Sequence, residues 1–122
     1  MAQKQKILYV QTSGVGTPER LYSPFVLAMT AKAMGVDAII YFLGQGLTVI
    51  KKGMAENVKV GQFPALSDIM KQALDAGVEI MVCEQSTQLL NMKRGDFIPQ
   101  AKIVGAATLN DLVLECTASM WF

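Results

Sequence analysis

Cys83 is the residue in this chain best suited to chemistry, and it directly follows the apolar run Val78–Val82. A helical pattern then covers Gln85–Met92, and Gly95 is the expected end of that helix. An apolar run between two helical patterns predicts a buried strand of an α/β sheet, with Cys83 at its carboxyl end. Ligands of open α/β sheets bind at this edge. A neighbouring helix N-terminus would favour the nucleophilic thiolate form of the cysteine.

A packing role for Cys83 is the alternative interpretation, because cysteine is among the most often buried residue types. Spacing alone leaves both interpretations open. The second cysteine, Cys116, shares one face of a predicted helix with Leu109, Leu112 and Val113, which favours a core position. Two cysteines so far apart in a chain of cytosolic character do not indicate a structural disulfide.

The chain contains no histidine. This removes the commonest general base and the commonest metal ligand, and it excludes Ser/His/Asp and Cys/His catalytic arrangements. We therefore expect no metal site and no other cofactor. A nucleophile without a general base suits chemistry that needs little proton transfer. Sulfur transfer through a persulfide or a mixed disulfide is of this kind, because the attacking and leaving groups are both sulfur of low pKa.

Two glycine-containing loops are expected at the same sheet edge as Cys83. Ser13-Gly14-Val15-Gly16 follows the first predicted strand, and Gly44-Gln45-Gly46 follows the second. Backbone N–H groups in the first loop are placed to hold an anion. That loop lacks the third glycine of a dinucleotide fingerprint and the Gly-Lys-Ser/Thr of a P-loop. A plain turn and a small-anion site both remain open.

The elements that must position these residues alternate between strands and helices. Strands are predicted at Lys6–Thr12, Val36–Phe42, Val78–Val82, Lys102–Ala107 and Ser119–Phe122. The helix signals are Ser23 as N-cap with Pro24 in the first turn and Gly35 at the end, a short helix over Leu47–Lys52, a helix from Pro64 to Gly77, and a capping box at Thr108–Asp111. This order predicts one α/β domain over residues 1–122. Its sheet would be mostly parallel and five-stranded, with helices on both faces in a flavodoxin- or Rossmann-like layering.

Composition narrows the class of protein. The chain is 52% hydrophobic and 17% charged, with a formal net charge of +1. We expect no nucleic-acid partner and no membrane association, since there is no basic surface and no apolar run near the ~18 residues that a membrane span needs. Met1–Lys6 leads into a predicted strand and not into a signal peptide, which predicts a cytoplasmic protein. The first helix is apolar on most sides, which suggests a subunit contact.

Four segments together resemble the DsrE/DsrF/TusD family of small sulfur-relay proteins. They are Ile7–Thr17, the helix end Ala31–Gly35, Val36–Lys52 with its Tyr-Phe-Leu-Gly-Gln-Gly-Leu turn and Lys-Lys-Gly ending, and Ala76–Ser86 with its Cys-x-x-Ser pattern. The resemblance implies the DsrEFH-like fold and a homo-oligomer, often a trimer or hexamer, with Cys83 near a subunit interface. It also implies that Cys83 carries sulfur as a persulfide or a thiosulfate-derived adduct.

The leading hypothesis is a cytoplasmic sulfur carrier or sulfurtransferase that takes sulfur from a donor and passes it to a partner protein. Cys83 would be the nucleophile, Ser86 and its neighbouring N–H groups would hold the anionic adduct, and Ser13, Gly14 and Gly44 would shape the pocket rim. One alternative is a non-catalytic subunit that binds a small anion or a nucleotide, with Cys83 structural. Another is a structural subunit whose first helix docks on a different protein.

Overall fold

A computed structural model describes residues 4–122, so the first three residues of the N-terminal segment Met1–Lys6 lie outside the described part of the chain. Five strands form one sheet in the order β4-β3-β2-β1-β5, and every neighbouring pair is parallel. This confirms the predicted α/β fold. The strands are β1 Lys6–Gln11, β2 Asp37–Phe42, β3 Glu79–Cys83, β4 Ala101–Val104 and β5 Ala118–Trp121; the helices are α1 Tyr22–Ala33, α2 Leu66–Asp75, α3 Glu84–Leu89 and α4 Ala106–Glu115.

The two faces of the sheet are covered unequally. Because side chains alternate along a strand, Tyr9, Ile40 and Val82 belong to a large core that includes α1 and α2. The opposite face carries a smaller core of Leu8, Val10, Ile39, Tyr41 and Cys83, with Leu112 as its one buried residue from α4. The helix α4 follows β4 at one sheet edge and leads to β5 at the other, so it crosses this second face.

Only part of the apolar surface of α1 is used inside the protein, so the subunit contact suggested there stays a prediction. Tyr22, Pro24, Phe25, Ala28 and Ala31 of this helix are buried. The exposed large apolar side chains of the last helix and strand are Val113, Leu114, Met120 and Trp121. Within residues 4–122, four of the seven exposed large apolar side chains thus lie on α4 and β5; the others are Met34, Phe63 and Leu89.

The predicted N-cap of α1 is wrong, although its ends are close to the expected positions. Leu21 caps the helix without a side-chain hydrogen bond, and Ser23 already lies inside the first turn beside Pro24. The reason is a 3-10 turn at Pro18–Arg20, which leads straight into the helix and leaves no extended residue for a side-chain cap. Gly35 follows the helix at φ +79° as expected.

The boundaries of three other helical segments differ from the predicted ones, because the turns that begin or end these segments have other conformations than the sequence pattern indicates. The helix α4 begins after Gly105, so Thr108 lies within it and caps nothing. Asn91, at φ 55°, follows the short α3 in the left-handed region, and Gly95 belongs instead to a 3-10 turn at Arg94–Asp96. The expected helix over Leu47–Lys52 is a 3-10 turn at Gly44–Val49. Val113 is exposed, and Cys116 is only half-buried.

Candidate functional site

Cys83 lies where β3 ends and α3 begins. It is the last residue of the strand and the N-cap of the helix, and its side chain is 5% exposed. The Ser86 N–H donates to the Cys83 Sγ at 3.4 Å. The strand holds the Cα in a parallel sheet, because Cys83 pairs with Val104 of β4. The structure therefore places Cys83 at the carboxyl end of a strand, as predicted.

Ser86 connects the cysteine to the turn after β2. Its side chain is buried, and its hydroxyl accepts a hydrogen bond of 2.8 Å from the Gly44 N–H. Gly44 has φ +59°, a conformation that glycine adopts without the steric cost of a Cβ. The structure thus brings three of the residues singled out from the sequence, Cys83, Ser86 and Gly44, into one hydrogen-bonded group.

Ser13 and Gly14 lie at the same sheet edge but adjoin a different cavity. A Cβ on Gly14 would be 2.5 Å from the Gln45 carbonyl oxygen and 2.6 Å from the Thr48 Oγ1, so this loop packs tightly on the turn after β2. The Val15 N–H also donates to Thr48 Oγ1 at 3.1 Å. A cavity of about 360 Å³ is lined by Thr12, Ser13, Gly14, Gly16, Thr17 and Gln45. Cys83 and Ser86 do not line this cavity.

Tyr41 is a neighbour of Cys83 that the sequence analysis did not single out. It is fully buried on β2, on the same face of the sheet as Cys83. Burial raises the pKa of Tyr41, and the charge of the nearby Cys83 sulfur raises it further. The apolar pattern that predicts this strand assigns Tyr41 to the core, so the sequence alone gives no sign of a chemical role. Only strand register relates its face to that of Cys83.

Cys116 lies at the amino ends of the strands, opposite the carboxyl ends where Cys83 lies. The next residue, Thr117, donates its N–H to the Lys6 carbonyl at 2.8 Å, beside the first residue of β1. The strand register puts Cys83 about six residues further along the sheet than Thr117. With a rise of about 3.3 Å per residue, the two cysteines are roughly 20 Å apart along the strands, far beyond disulfide reach. Burial raises the pKa of Cys116, with Lys6 acting against this shift and Glu115 adding to it. Both cysteines are free thiols.

The described residues hold neither a metal-binding cluster nor a membrane-spanning helix. Residues 4–122 contain no group of three or more His, Cys, Asp or Glu side chains that could hold a metal ion. Over the same range, none of the helices has the length and apolar character that a membrane-spanning helix requires.

Comparison with known proteins gives a family and a fold. The model of the DsrE/DsrF-like family matches residues 5–122. An uncharacterized protein of Methanocaldococcus jannaschii is 30% identical over 117 residues, which cover 95% of this chain but only 42% of that relative. The chain thus spans less than half the length of this relative. The sulfur carrier protein DsrE2 of Allochromatium vinosum is 24% identical, with 93% of this chain and 95% of that protein covered.

Two solved structures share the fold at low identity. The YchN protein from E. coli superposes with a TM-score of 0.78 at 15% identity, covering 98% of this chain and all of that one. A protein of unknown function from Methanobacterium thermoautotrophicum gives a TM-score of 0.71 at 14% identity, with the same coverage. At these identities the likeness concerns the fold alone.

Proposed function

Because the chain belongs to the DsrE/DsrF-like family, we propose that it takes part in sulfur relay as a carrier that holds sulfur on Cys83. The relative of similar length from Allochromatium vinosum is named a sulfur carrier protein. The observation that carries the proposal is the position of Cys83 at the end of β3, with its sulfur accepting the Ser86 N–H. Partners would be a sulfur donor and an acceptor protein, in the reducing cytoplasm that keeps thiols free.

The proposed chemistry is thiolate exchange. The Cys83 thiolate attacks the sulfane sulfur of a donor such as thiosulfate or a persulfide, and a new S–S bond forms. The donor's S–S bond breaks, and the leaving sulfite or thiolate departs with its electron pair. An acceptor thiolate then attacks the outer sulfur, and Cys83 leaves as a thiolate. Neither step needs a general base, provided that the attacking sulfur is already ionised.

The surroundings of Cys83 suit a sulfur anion. A backbone N–H stabilises negative charge on sulfur, and Ser86 is itself fixed by its bond to Gly44. Burial of the side chain to 5% exposure shields an adduct from solvent oxidants and from stray thiols. Gly44 would form the rim of this site through its bond to Ser86, while Ser13 and Gly14 line the separate cavity at the same carboxyl ends of the strands.

The proposal is tested by intact-protein mass spectrometry after incubation with thiosulfate, polysulfide or tetrathionate. We expect an added mass of one or more sulfur atoms, or of thiosulfate, in the wild type and in Cys116→Ser. Cys83→Ser should gain none. Adducts that persist in Cys83→Ser, or an unmodified wild type with a thiol that resists alkylation, would show that Cys83 is a structural residue.

A second function, the binding of a small anion or nucleotide, is favoured by the cavity beside residues 12–17. It has a volume of about 360 Å³ and is not lined by Cys83. Isothermal calorimetry with inorganic phosphate and with adenosine nucleotides would test it. Tight binding that is equal in the wild type and in Cys83→Ala would support a binding subunit, and absence of binding would contradict this second function.

We also propose that the chain forms a homo-oligomer, a trimer or a hexamer, with α4 and β5 at the interface. Leu114 is 83% exposed and Trp121 is 52% exposed, and both lie on these last two elements. Trp121 pairs with Val10 and so lies on the sheet face that α4 covers. Large apolar side chains exposed on the same side of a protein are typical of protein–protein contacts. Since α4 also covers the sheet face that carries Cys83, this interface would lie close to the reactive sulfur.

A further inference from the structure

The hydroxyl of Tyr41 is the one buried side-chain nitrogen or oxygen within residues 4–122 that has no hydrogen-bond partner. Burial of a hydroxyl without a partner costs free energy, and a buried polar group in a native protein usually has one. The other two tyrosines follow that rule, since Tyr9 donates to the Leu27 carbonyl and Tyr22 to the carbonyls of Val58 and Pro64. The exception therefore calls for a functional explanation.

Strand register places Tyr41 beside Cys83. Tyr41 pairs with Met81 on the adjacent strand β3, and Cys83 lies two residues further on, so both side chains are on the same face of the sheet. They share the small core under α4, where Tyr41 is 0% and Cys83 5% exposed. Besides burial, the Cys83 sulfur raises the pKa of Tyr41, so the two groups are near each other although their geometry is not that of a hydrogen bond.

We propose that Tyr41 donates a hydrogen bond to the sulfur of Cys83 when that sulfur is anionic, and that it forms a two-donor site for the thiolate together with the Ser86 N–H. This role rests on the proposed function and adds a second residue to it. A neutral thiol is a weak acceptor, which explains why the hydroxyl lacks a hydrogen bond of normal geometry in the unloaded protein. An anionic sulfur is a far better acceptor.

The two donors act at the step in which sulfur leaves. An acceptor thiolate attacks the outer sulfur of the Cys83 persulfide, and the bond between that sulfur and the Cys83 Sγ breaks. The bonding electron pair remains on Sγ, so negative charge develops beside the Ser86 N–H, which already donates to this sulfur, and in the small core that holds the Tyr41 hydroxyl. Fixed donors in a site without water stabilise such charge without reorganisation. No proton is transferred, because the raised pKa of Tyr41 keeps the phenol protonated throughout the physiological range.

Tyr41→Phe tests this role, because it deletes the hydroxyl and keeps the ring. Tyr9→Phe is the matched control: it deletes a buried hydroxyl on the opposite face of the neighbouring strand. The first readout is the pH at which alkylation of Cys83 reaches half of its maximal rate. This midpoint, unlike the rate itself, does not depend on access to the sulfur. The second readout is the rate at which the persulfide-loaded protein passes sulfur to 2-mercaptoethanol.

We expect Tyr41→Phe to move the alkylation midpoint to higher pH by about one unit and to slow sulfur transfer about tenfold, the usual effect of one lost charge-assisted hydrogen bond. Tyr9→Phe should leave both unchanged. Unchanged values in a folded Tyr41→Phe protein would overturn the role of Tyr41. A wild type that never loads would overturn the carrier function instead, while the alkylation midpoint would still report on Tyr41.

A variant that keeps the side-chain size covers the case in which Tyr41→Phe does not fold. Replacement of Tyr41 by 3-fluorotyrosine leaves the hydroxyl in place and makes it a stronger donor. The alkylation midpoint should then move to lower pH, opposite to the effect of deletion. A midpoint equal to that of the wild type would contradict the proposal.

Discussion

At the scale of single residues, the two cysteines lie in different surroundings. Cys83 ends a strand and accepts the Ser86 N–H, with Tyr41 as its neighbour. Cys116 lies at the amino ends of the strands. Burial raises its pKa, Lys6 lowers it, and Glu115 raises it. A raised pKa leaves less thiolate at neutral pH, and the thiolate is the reactive species.

Cys116 should therefore be the inert thiol of the pair. In Cys83→Ser, iodoacetamide should modify the protein slowly at neutral pH, and the rate should rise only above the ordinary cysteine pKa of about 8.5. Rates measured against pH, with Cys116→Ser as the matched variant and both proteins also unfolded in urea, check this. Fast modification of Cys83→Ser at neutral pH would contradict the assignment, whereas the unfolded variants should react alike.

At the scale of elements, the 3-10 turn Gly44–Val49 lies where the carboxyl ends of three strands come together. It follows β2, it is bonded to the start of α3 through Gly44 and Ser86, and it packs against the end of β1. Gly46 allows the last contact, because a Cβ on this residue would overlap the Gln11 carbonyl. The close approach of the two backbones explains a glycine here independently of any left-handed dihedral angle.

Gly46→Ala should lower the free energy of unfolding by about 1–3 kcal/mol, since the turn must shift to admit the methyl group. The displaced turn would also move Gly44 away from Ser86 and slow the loading of Cys83. Gly16→Ala is the control, because a Cβ there meets nothing within 4 Å. Its effect should stay within about 0.5 kcal/mol. Urea unfolding of both variants measures the difference, and equal stabilities would refute the close contact.

At the scale of the whole molecule, the sheet has one well-covered and one lightly covered face. Five residues of α1 and four of α2 are buried, against only Leu112 of α4. All four residues of the edge strand β5 are exposed. An element with few buried contacts opens at a lower free energy than the rest of the fold. The Cys83 face is thus the side on which a second protomer or a partner would add stability.

Substitution on this surface should dissociate the proposed oligomer. We expect the wild type to scatter light as a trimer or hexamer, and Leu114→Lys combined with Trp121→Lys to give smaller species. Met34→Lys, at an exposed methionine just past the end of α1, should assemble normally. Trp121 is the only tryptophan, so its fluorescence should shift to shorter wavelength as the wild type is concentrated. A wild type that is monomeric at all concentrations would contradict the proposal.

The amino-acid sequence by itself determined the strands, their alternation with helices, and the position of Cys83 at a strand end. These features are local: apolar runs, glycine after α1 and α2, and a proline in the first helical turn act through neighbours in the chain. The parallel sheet follows from that alternation. The residues Cys83, Ser86 and Gly44 could be chosen in this way, because each adjoins the end of a strand.

Only the tertiary structure decided which side chains share a face. Tyr41 meets Cys83 because Tyr41 pairs with Met81, and a register shift of one residue would point it into the opposite core. Strand pairing also places β5 beside β1 at the outer edge of the sheet. Ser13 and Gly14 line a cavity that Cys83 does not line. Helix starts after Leu21 and Gly105 depended on the preceding turn or strand end. Contacts between residues distant in sequence decide register and packing, and no local pattern encodes them.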